Sequence, residues 1–265
     1  MSKRIVLLGS GVLGSRIATN VRRRYQTLVT MRIKLCQPEL LAKRLDPNDT
    51  LIIAAAKLPC RDSDAMIHNM WMTTTICEAL ARKPVAHVVN ISSDAVYGPI
   101  EGAITERSPT WPESLLGAMH LSREAALLSV ASSLLIVRLV ALFGPRYTGD
   151  TYGPNSFLRD ARRGVPITLY GDGSELRDHM YVWDAAQLIA EATLARHCGV
   201  LNLATGSLYT FSSIARAVAE AARAKIVFRE SRPHEMKREF DTSRLQPFIS
   251  MRFTSPLEVE KWASA

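Results

Sequence analysis

The chain has little of what would set it apart from an ordinary globular protein. Its four cysteines, Cys36, Cys60, Cys77 and Cys198, lie far apart, with no Cys-x-x-Cys pair and no histidine at a metal-ligand spacing. That pattern excludes a zinc ribbon or a disulfide framework, so no metal is expected, and free thiols in a reducing cytoplasm are. No apolar run approaches the roughly 18 residues needed to span a membrane. The start, Ser2-Lys3-Arg4 before Ile5-Val6-Leu7-Leu8, breaks at once into glycines and Arg16, which suits a first strand better than a signal peptide. Aromatic residues make up only 7% and form no stacking platform, and no helix-turn-helix pattern appears. The net charge of +8, from 33 basic and 25 acidic residues, is scattered apart from Arg22-Arg23-Arg24 and Arg162-Arg163. It therefore points to a small polyanionic ligand or to plain solvation, and neither nucleic acid nor membrane is an expected partner.

What is present is an alternation. Ile5–Gly9, Thr27–Met31, Leu51–Ala56, Val85–Ile91 and Leu134–Leu139 are short, aliphatic and β-branched, as buried strands are. Between them Val12–Arg24, Pro38–Leu45, Asp62–Arg82 and Glu113–Ser132 have helical spacing, as do Asp184–Arg196 and Phe211–Ala224 further on. Strands alternating with helices imply βαβ crossovers and a Rossmann-type, doubly wound parallel α/β sheet. From Phe143 onward Gly and Pro become dense (Gly144, Pro145, Gly149, Gly153, Pro154, Gly164, Pro166), which marks a smaller lobe. The expected division is 1–142, with segments near 167–204 returning to it, and a lobe of mostly 143–265.

Gly9-Ser10-Gly11-Val12-Leu13-Gly14 follows the first strand and opens a helix. Glycines there let the chain turn tightly and approach a pyrophosphate, whose charge then meets the positive helix N-terminus. The second strand tells which dinucleotide. An acid at its end would hold the ribose hydroxyls of NAD, but Leu28-Val29-Thr30-Met31 runs into Arg32 and Lys34. Arg32 is suited to a 2′-phosphate, so the expected cofactor is NADP, with NAD possible. Ala54, Ala55 and Ala56 are small enough to let adenosine pass over the end of the third strand.

Further residues form longer patterns. Gly171-Asp172-Gly173-Ser174-Glu175-Leu176-Arg177-Asp178 through Asp184 sets one arginine after a Gly/Asp/Gly turn, and its planar donors match a diphosphate. Together with Ile91-Ser92-Ser93-Asp94-Ala95-Val96-Tyr97-Gly98 and Arg138 to Pro145, this block resembles the extended short-chain dehydrogenase/reductases, the NAD-dependent epimerase/dehydratase family acting on nucleotide sugars. The resemblance continues through Val200–Gly206 and Asp241–Leu245, and so covers nearly the whole chain. It implies that Ser93 hydrogen-bonds the reacting sugar oxygen, that Ser92 lines the cofactor site, and that Asn155 and Arg177 bind the nucleotide sugar. It also implies a homodimer through the helices on either side of the fourth strand.

The departures fall where protons move. Leu116 and His120 stand in place of the family's Tyr and Lys, one helical turn apart. Ala95 replaces one member of a dehydratase acid pair, leaving Asp94, and Ala141 replaces an asparagine. Leu116 transfers no proton, whereas His120 is expected to touch the cofactor ribose and to titrate near neutrality. Two readings stand. One is an NAD(P)-dependent epimerase- or reductase-type oxidoreductase on a nucleotide-linked sugar, with Ser93, Asp94 and His120 as the catalytic groups. The other is a regulatory protein that binds the same ligands without turnover.

Overall fold

A computed structural model describes residues 4–23, 27–145, 152–230 and 237–263. Arg24, at the end of the first expected helix, and Gly149, in the Gly/Pro-rich stretch, lie outside the described residues. The chain opens with β1 (Ile5–Leu8), α1 (Val12–Arg22), β2 (Leu28–Met31), the short α2 (Pro38–Ala42) and β3 (Thr50–Ile53). It continues through α3 (Ser63–Arg82), β4 (His87–Ser93), α4 (Leu115–Leu128) and β5 (Leu134–Leu139). Helix starts are set by side-chain caps. Asp62 Oδ1 accepts from Ala65 N at 2.8 Å and Ser114 Oγ from Gly117 N at 3.2 Å, so α3 and α4 begin one residue after each cap.

Next come β6 (Ala141–Phe143), α5 (Pro154–Arg162), β7 (Ile167–Tyr170), β8 (Leu176–Tyr181), α6 (Val182–Leu194) and β9 (Gly199–Leu203). The last elements are β10 (Leu208–Thr210), α7 (Phe211–Ala222), β11 (Ile226–Arg229) and α8 (Val259–Ala263). Two compact units result. The first comprises Met1–Gly98, Glu106–Leu139 and Ala185–Leu203, and the second Pro99–Thr105, Val140–Asp184 and Ala204–Ala265.

The first unit is built on a six-stranded parallel sheet in the order β2-β1-β3-β4-β5-β9. It is the expected Rossmann-type α/β arrangement, with helices on the crossovers. Val6, Leu8, Leu51, Ile53, Ile76 and Ile136 form its dry core. Order reverses between β1 and β3, since β2 lies beyond one and β4 beyond the other. In open α/β sheets such a reversal leaves a crevice at the carboxyl ends of the strands. β4 ends at Ser93, not at the expected Ile91, because Ser92 and Ser93 keep their ladder partners Arg138 and Leu139 on β5.

The second unit contains a three-stranded sheet, β10-β8-β6, and the parallel pair β11-β7. Its core is aromatic: Phe143, Phe157 and Phe211 pack with Ile214 and Trp262, and the Phe143 and Trp262 rings meet edge to face at 5.3 Å. Among the described residues no helix is long and apolar enough to cross a membrane.

Candidate functional site

The reversal of strand order in the first unit falls between the end of β1 and the end of β3. Gly9 has φ +102°, and a Cβ on it would fall 2.6 Å from Ala55 N. A Cβ on Gly14 would fall 2.1 Å from the Gly9 carbonyl oxygen, so both positions require glycine for the loop to close. Gly11 differs. It caps α1 with no side-chain hydrogen bond, and a Cβ there would meet nothing within 4 Å. The loop thus leaves an open face at a helix start, with no acid in the first turn of α1. That is the shape a phosphate group needs to reach backbone N–H groups, so the residues fit a dinucleotide. Ser10, Val12 and Leu13 complete the loop, with Val12 and Leu13 half-buried. Past β2, Met31 turns inward while Arg32 and Lys34 are exposed, and no acid stands on that strand.

Ala54, Ala55 and Ala56 follow β3 as half-buried residues. They are held by groups that the sequence reading did not single out. Asn69 on α3 accepts from Lys57 N at 2.9 Å and donates to Lys57 O at 2.9 Å. Arg123 on α4 donates to Ala55 O at 2.9 Å. These pairs are more than ten residues apart in sequence, and no local pattern announces them.

At the end of β4, Ser92 is buried and donates to Glu124 Oε1 at 2.5 Å. Glu124 is in turn gripped by Arg138, through Nη2 at 2.7 Å and Nε at 3.1 Å. Ser93 is half-buried. Its Oγ accepts from Ala95 N at 3.1 Å and donates to Asp94 Oδ1 at 3.3 Å, so Ser93 caps a single 3-10 turn and Asp94 opens it. The start of α4 packs on this turn, because a Cβ on Gly117 would lie 2.0 Å from Ala95 O. Leu116 packs against Cys60, Ala65 and Met119 as an apolar contact.

His120 is 6% exposed, and its Nδ1 has no hydrogen-bond partner. Burial, reinforced by the neighbouring Arg123 charge, pushes its pKa down to about 3. This corrects the expectation of titration near neutrality: the ring is neutral throughout the physiological range. Tyr97 does not stand in for the missing phenol either. Its hydroxyl is sealed between Asn202 and Arg138, and burial raises its pKa.

In the second unit Arg177 lies on β8 itself, the strand that follows the Gly/Asp/Gly turn. Its cross-strand partner is Tyr209, and its Nε is bound to Glu175 Oε1 at 2.7 Å. The preceding turn uses positive φ at Gly171 and Gly173. Asp178 fixes the adjacent loop by accepting from Thr205 N, Thr205 Oγ1 and Gly206 N at 2.9, 2.7 and 2.8 Å. The Asn155 amide clamps Gly144, accepting from its N–H at 3.0 Å and donating to its carbonyl at 2.8 Å. Ala141 is exposed. Among the described residues no group of His, Cys, Asp and Glu is arranged to hold a metal ion.

The family model described as "NAD dependent epimerase/dehydratase family" matches residues 6–204. A dTDP-glucose 4,6-dehydratase of Streptomyces griseus is 32% identical over 188 residues, covering 67% of this chain and 57% of that protein. The chain therefore spans little more than half the length of that curated relative. The fold is shared with a UDP-N-acetylglucosamine 4-epimerase from Methanobrevibacter ruminantium, at TM-score 0.80, 20% identity, and coverage of 98% of this chain and 95% of that one. It is shared as well with a UDP-glucose 4-epimerase of Thermus thermophilus, at TM-score 0.79, 22% identity and 92% coverage of both chains.

Proposed function

The chain belongs to the NAD dependent epimerase/dehydratase family, and from that premise we propose that it is a cytoplasmic NAD(P)-dependent oxidoreductase of the epimerase or reductase type acting on a nucleotide-linked sugar. The observation that carries the cofactor part is the Gly9–Gly14 loop. Two glycines close it against β3, and the third leaves a side-chain-free face at the start of α1. NADP is the preferred form, since Arg32 is exposed and no acid on β2 offers itself to ribose hydroxyls. A nicotinamide bound there would take up or return a hydride. Ser93 is the hydroxyl to hold the reacting sugar oxygen, and its contact with Asp94 gives it an outlet for a proton. His120, being neutral and buried, contributes packing and a ring nitrogen instead of a charge. Arg177 is the group for the diphosphate of the substrate.

A second reading is favoured by the state of three positions. Leu116 is a packing residue, the Tyr97 phenol is engaged on two sides, and His120 is neutral and so is no imidazolium acid. On that reading the chain binds both ligands and senses them without turnover.

Calorimetric titration with NADP and NAD, followed by single-turnover assays with UDP-, GDP- and dTDP-sugars, tests both readings. NADP binding with hydride exchange supports the enzyme, and ligand binding with no exchange supports the sensor. Binding of neither dinucleotide would remove both. Arg32→Asp should shift preference toward NAD.

A further inference from the structure

Arg123 is 1% exposed, and among the described residues no carboxylate pairs with it. Its donors all meet neutral oxygens: Thr73 Oγ1 at 3.2 Å, Ala55 O at 2.9 Å and Asn69 Oδ1 at 3.5 Å. Burial lowers its pKa to about 10, which still leaves it charged at neutral pH. The nearby thiols of Cys60 and Cys77 favour that charge, but burial raises both above their ordinary pKa, so neither supplies an anion near neutrality. Arg138 shows the contrast: it too is buried, on β5, and has Glu124 bound in two places. A buried cation without a counter-charge is strongly unfavourable and persists where something offsets it.

The place of Arg123 indicates what that is. Its Nη1 holds the carbonyl of Ala55, the residue whose backbone packs on Gly9 at the reversal of strand order. Asn69, another of its three partners, holds both backbone groups of Lys57. Position 120, one turn earlier on α4, carries a neutral histidine where the family pattern has a lysine. On this helix face the positive charge is therefore carried by Arg123.

We propose that Arg123, bound to the Ala55 carbonyl beside the glycine loop, is the positioning residue that provides the dinucleotide site with the buried positive charge that the cofactor's diphosphate completes. The inference rests on the cofactor reading above. It differs from a structural role in one respect, namely that the charge is unfavourable in the free protein and favourable in the complex.

The test uses the full chain with Arg123→Met and Arg123→Lys, thermal denaturation without ligand, and calorimetry with NADP, NAD, ADP and adenosine. The Met variant should melt at or above the temperature of the unmodified protein, since an apolar chain of similar length replaces an unpaired charge. It should lose about ten- to a hundredfold in affinity for ADP and the dinucleotides, while adenosine, which has no phosphate, binds as before. The Lys variant, keeping the charge, should retain most of the ADP affinity. Unchanged ADP affinity in the Met variant overturns the proposal. So does an equal loss for ADP and adenosine, and so does a Lys variant as weak as the Met variant. If the Met variant does not fold, the ratio of ADP to adenosine affinity in the Lys variant decides. If the unmodified protein binds neither dinucleotide but does bind ADP through this residue, the cofactor reading fails and the charge assignment survives.

Discussion

The Tyr97 hydroxyl donates to Asn202 Oδ1 at 2.8 Å and at the same oxygen accepts from Arg138 Nη1 at 2.9 Å, with the residue only 1% exposed. The Arg138 guanidinium also lies 4.8 Å from the centre of the Tyr97 ring. Strands β4, β5 and β9 are thereby tied together at their carboxyl ends by one polar network that runs on through Glu124 to Ser92. Such a network is stable only while each member is satisfied. Tyr97→Phe should cost about 1–3 kcal/mol in chemical denaturation, because it leaves Arg138 and Asn202 each short of a partner. Turnover per folded molecule should stay nearly constant. A loss of turnover by several orders of magnitude with stability intact would instead make Tyr97 the missing proton donor.

The glycine loop separates stability from binding. Gly14→Ala puts a Cβ 2.1 Å from Gly9 O and should destabilise the free protein by about 1–3 kcal/mol or more. Gly11→Ala meets nothing within 4 Å and should leave the melting temperature nearly unchanged while weakening dinucleotide binding. Equal effects of both substitutions on melting would show that the Gly11 face is occupied by the protein itself.

Three buried histidines, His87, His120 and His179, contribute to the acid limb of stability, and burial lowers the pKa of each. Burial pushes His120 to about 3 and His179 to about 4, against an ordinary value near 6.5. The unfolded chain therefore takes up protons that the folded chain refuses. The stability from these neutral rings is fully present above about pH 6.5 and is lost as pH falls toward the folded values, by about 1.4 kcal/mol per pH unit per histidine. Melting temperature should drop between pH 6.5 and 4.5, and His120→Gln should flatten that slope. An unaltered slope would mean that the folded protein protonates His120 readily.

Helices α3 and α4 leave apolar side chains uncovered, with Trp71 53% and Leu128 64% exposed and Ile67 and Leu115 exposed on the same helices. Ile76 and Leu127, on the same helices, are core residues at 1% and do not belong to that surface. The smaller remaining surface still suits a second copy of the chain, and a homodimer is expected. Sedimentation should give a dimer at micromolar concentration that Trp71→Glu converts to monomer. A monomer before substitution rules this out.

Much of this architecture could be read from the residues because its signals are local. The strands of the first unit are short aliphatic runs, the glycine loop sits between a strand and a helix, and Asp62 and Ser114 are ordinary caps. The strand end at Ser93 was not visible, since hydroxyl residues break the apolar pattern while still pairing with β5. Nor could spacing show that His120 would be neutral, that Asn155 would clamp Gly144, or that Arg123 would reach Ala55 across 68 positions. Those outcomes depend on which side chains are buried together, and burial is a property of the assembled sheet. The places of Arg32 and Arg177 in the fold were legible for the opposite reason: each stands just past, or within, a strand whose position the pattern already sets.

Arg177 is the residue expected to hold the diphosphate of the substrate. In the free protein its Nε is taken by Glu175 at 2.7 Å, while both side chains remain about a quarter exposed, at 24% and 21%. A diphosphate arriving at this guanidinium must compete with, or share, a carboxylate that repels it. Arg177→Ala should lower nucleotide-sugar affinity about ten- to a hundredfold, the range for a charge-assisted and bidentate contact. Glu175→Gln should act in the opposite direction, raising affinity by removing the repulsion and freeing Nε. Neither change should alter dinucleotide affinity, because the glycine loop belongs to the other unit. Calorimetry on both variants checks this directly. If Glu175→Gln weakens the nucleotide sugar as much as Arg177→Ala does, the pair acts by fixing the start of β8. If neither variant changes affinity, the diphosphate is held elsewhere.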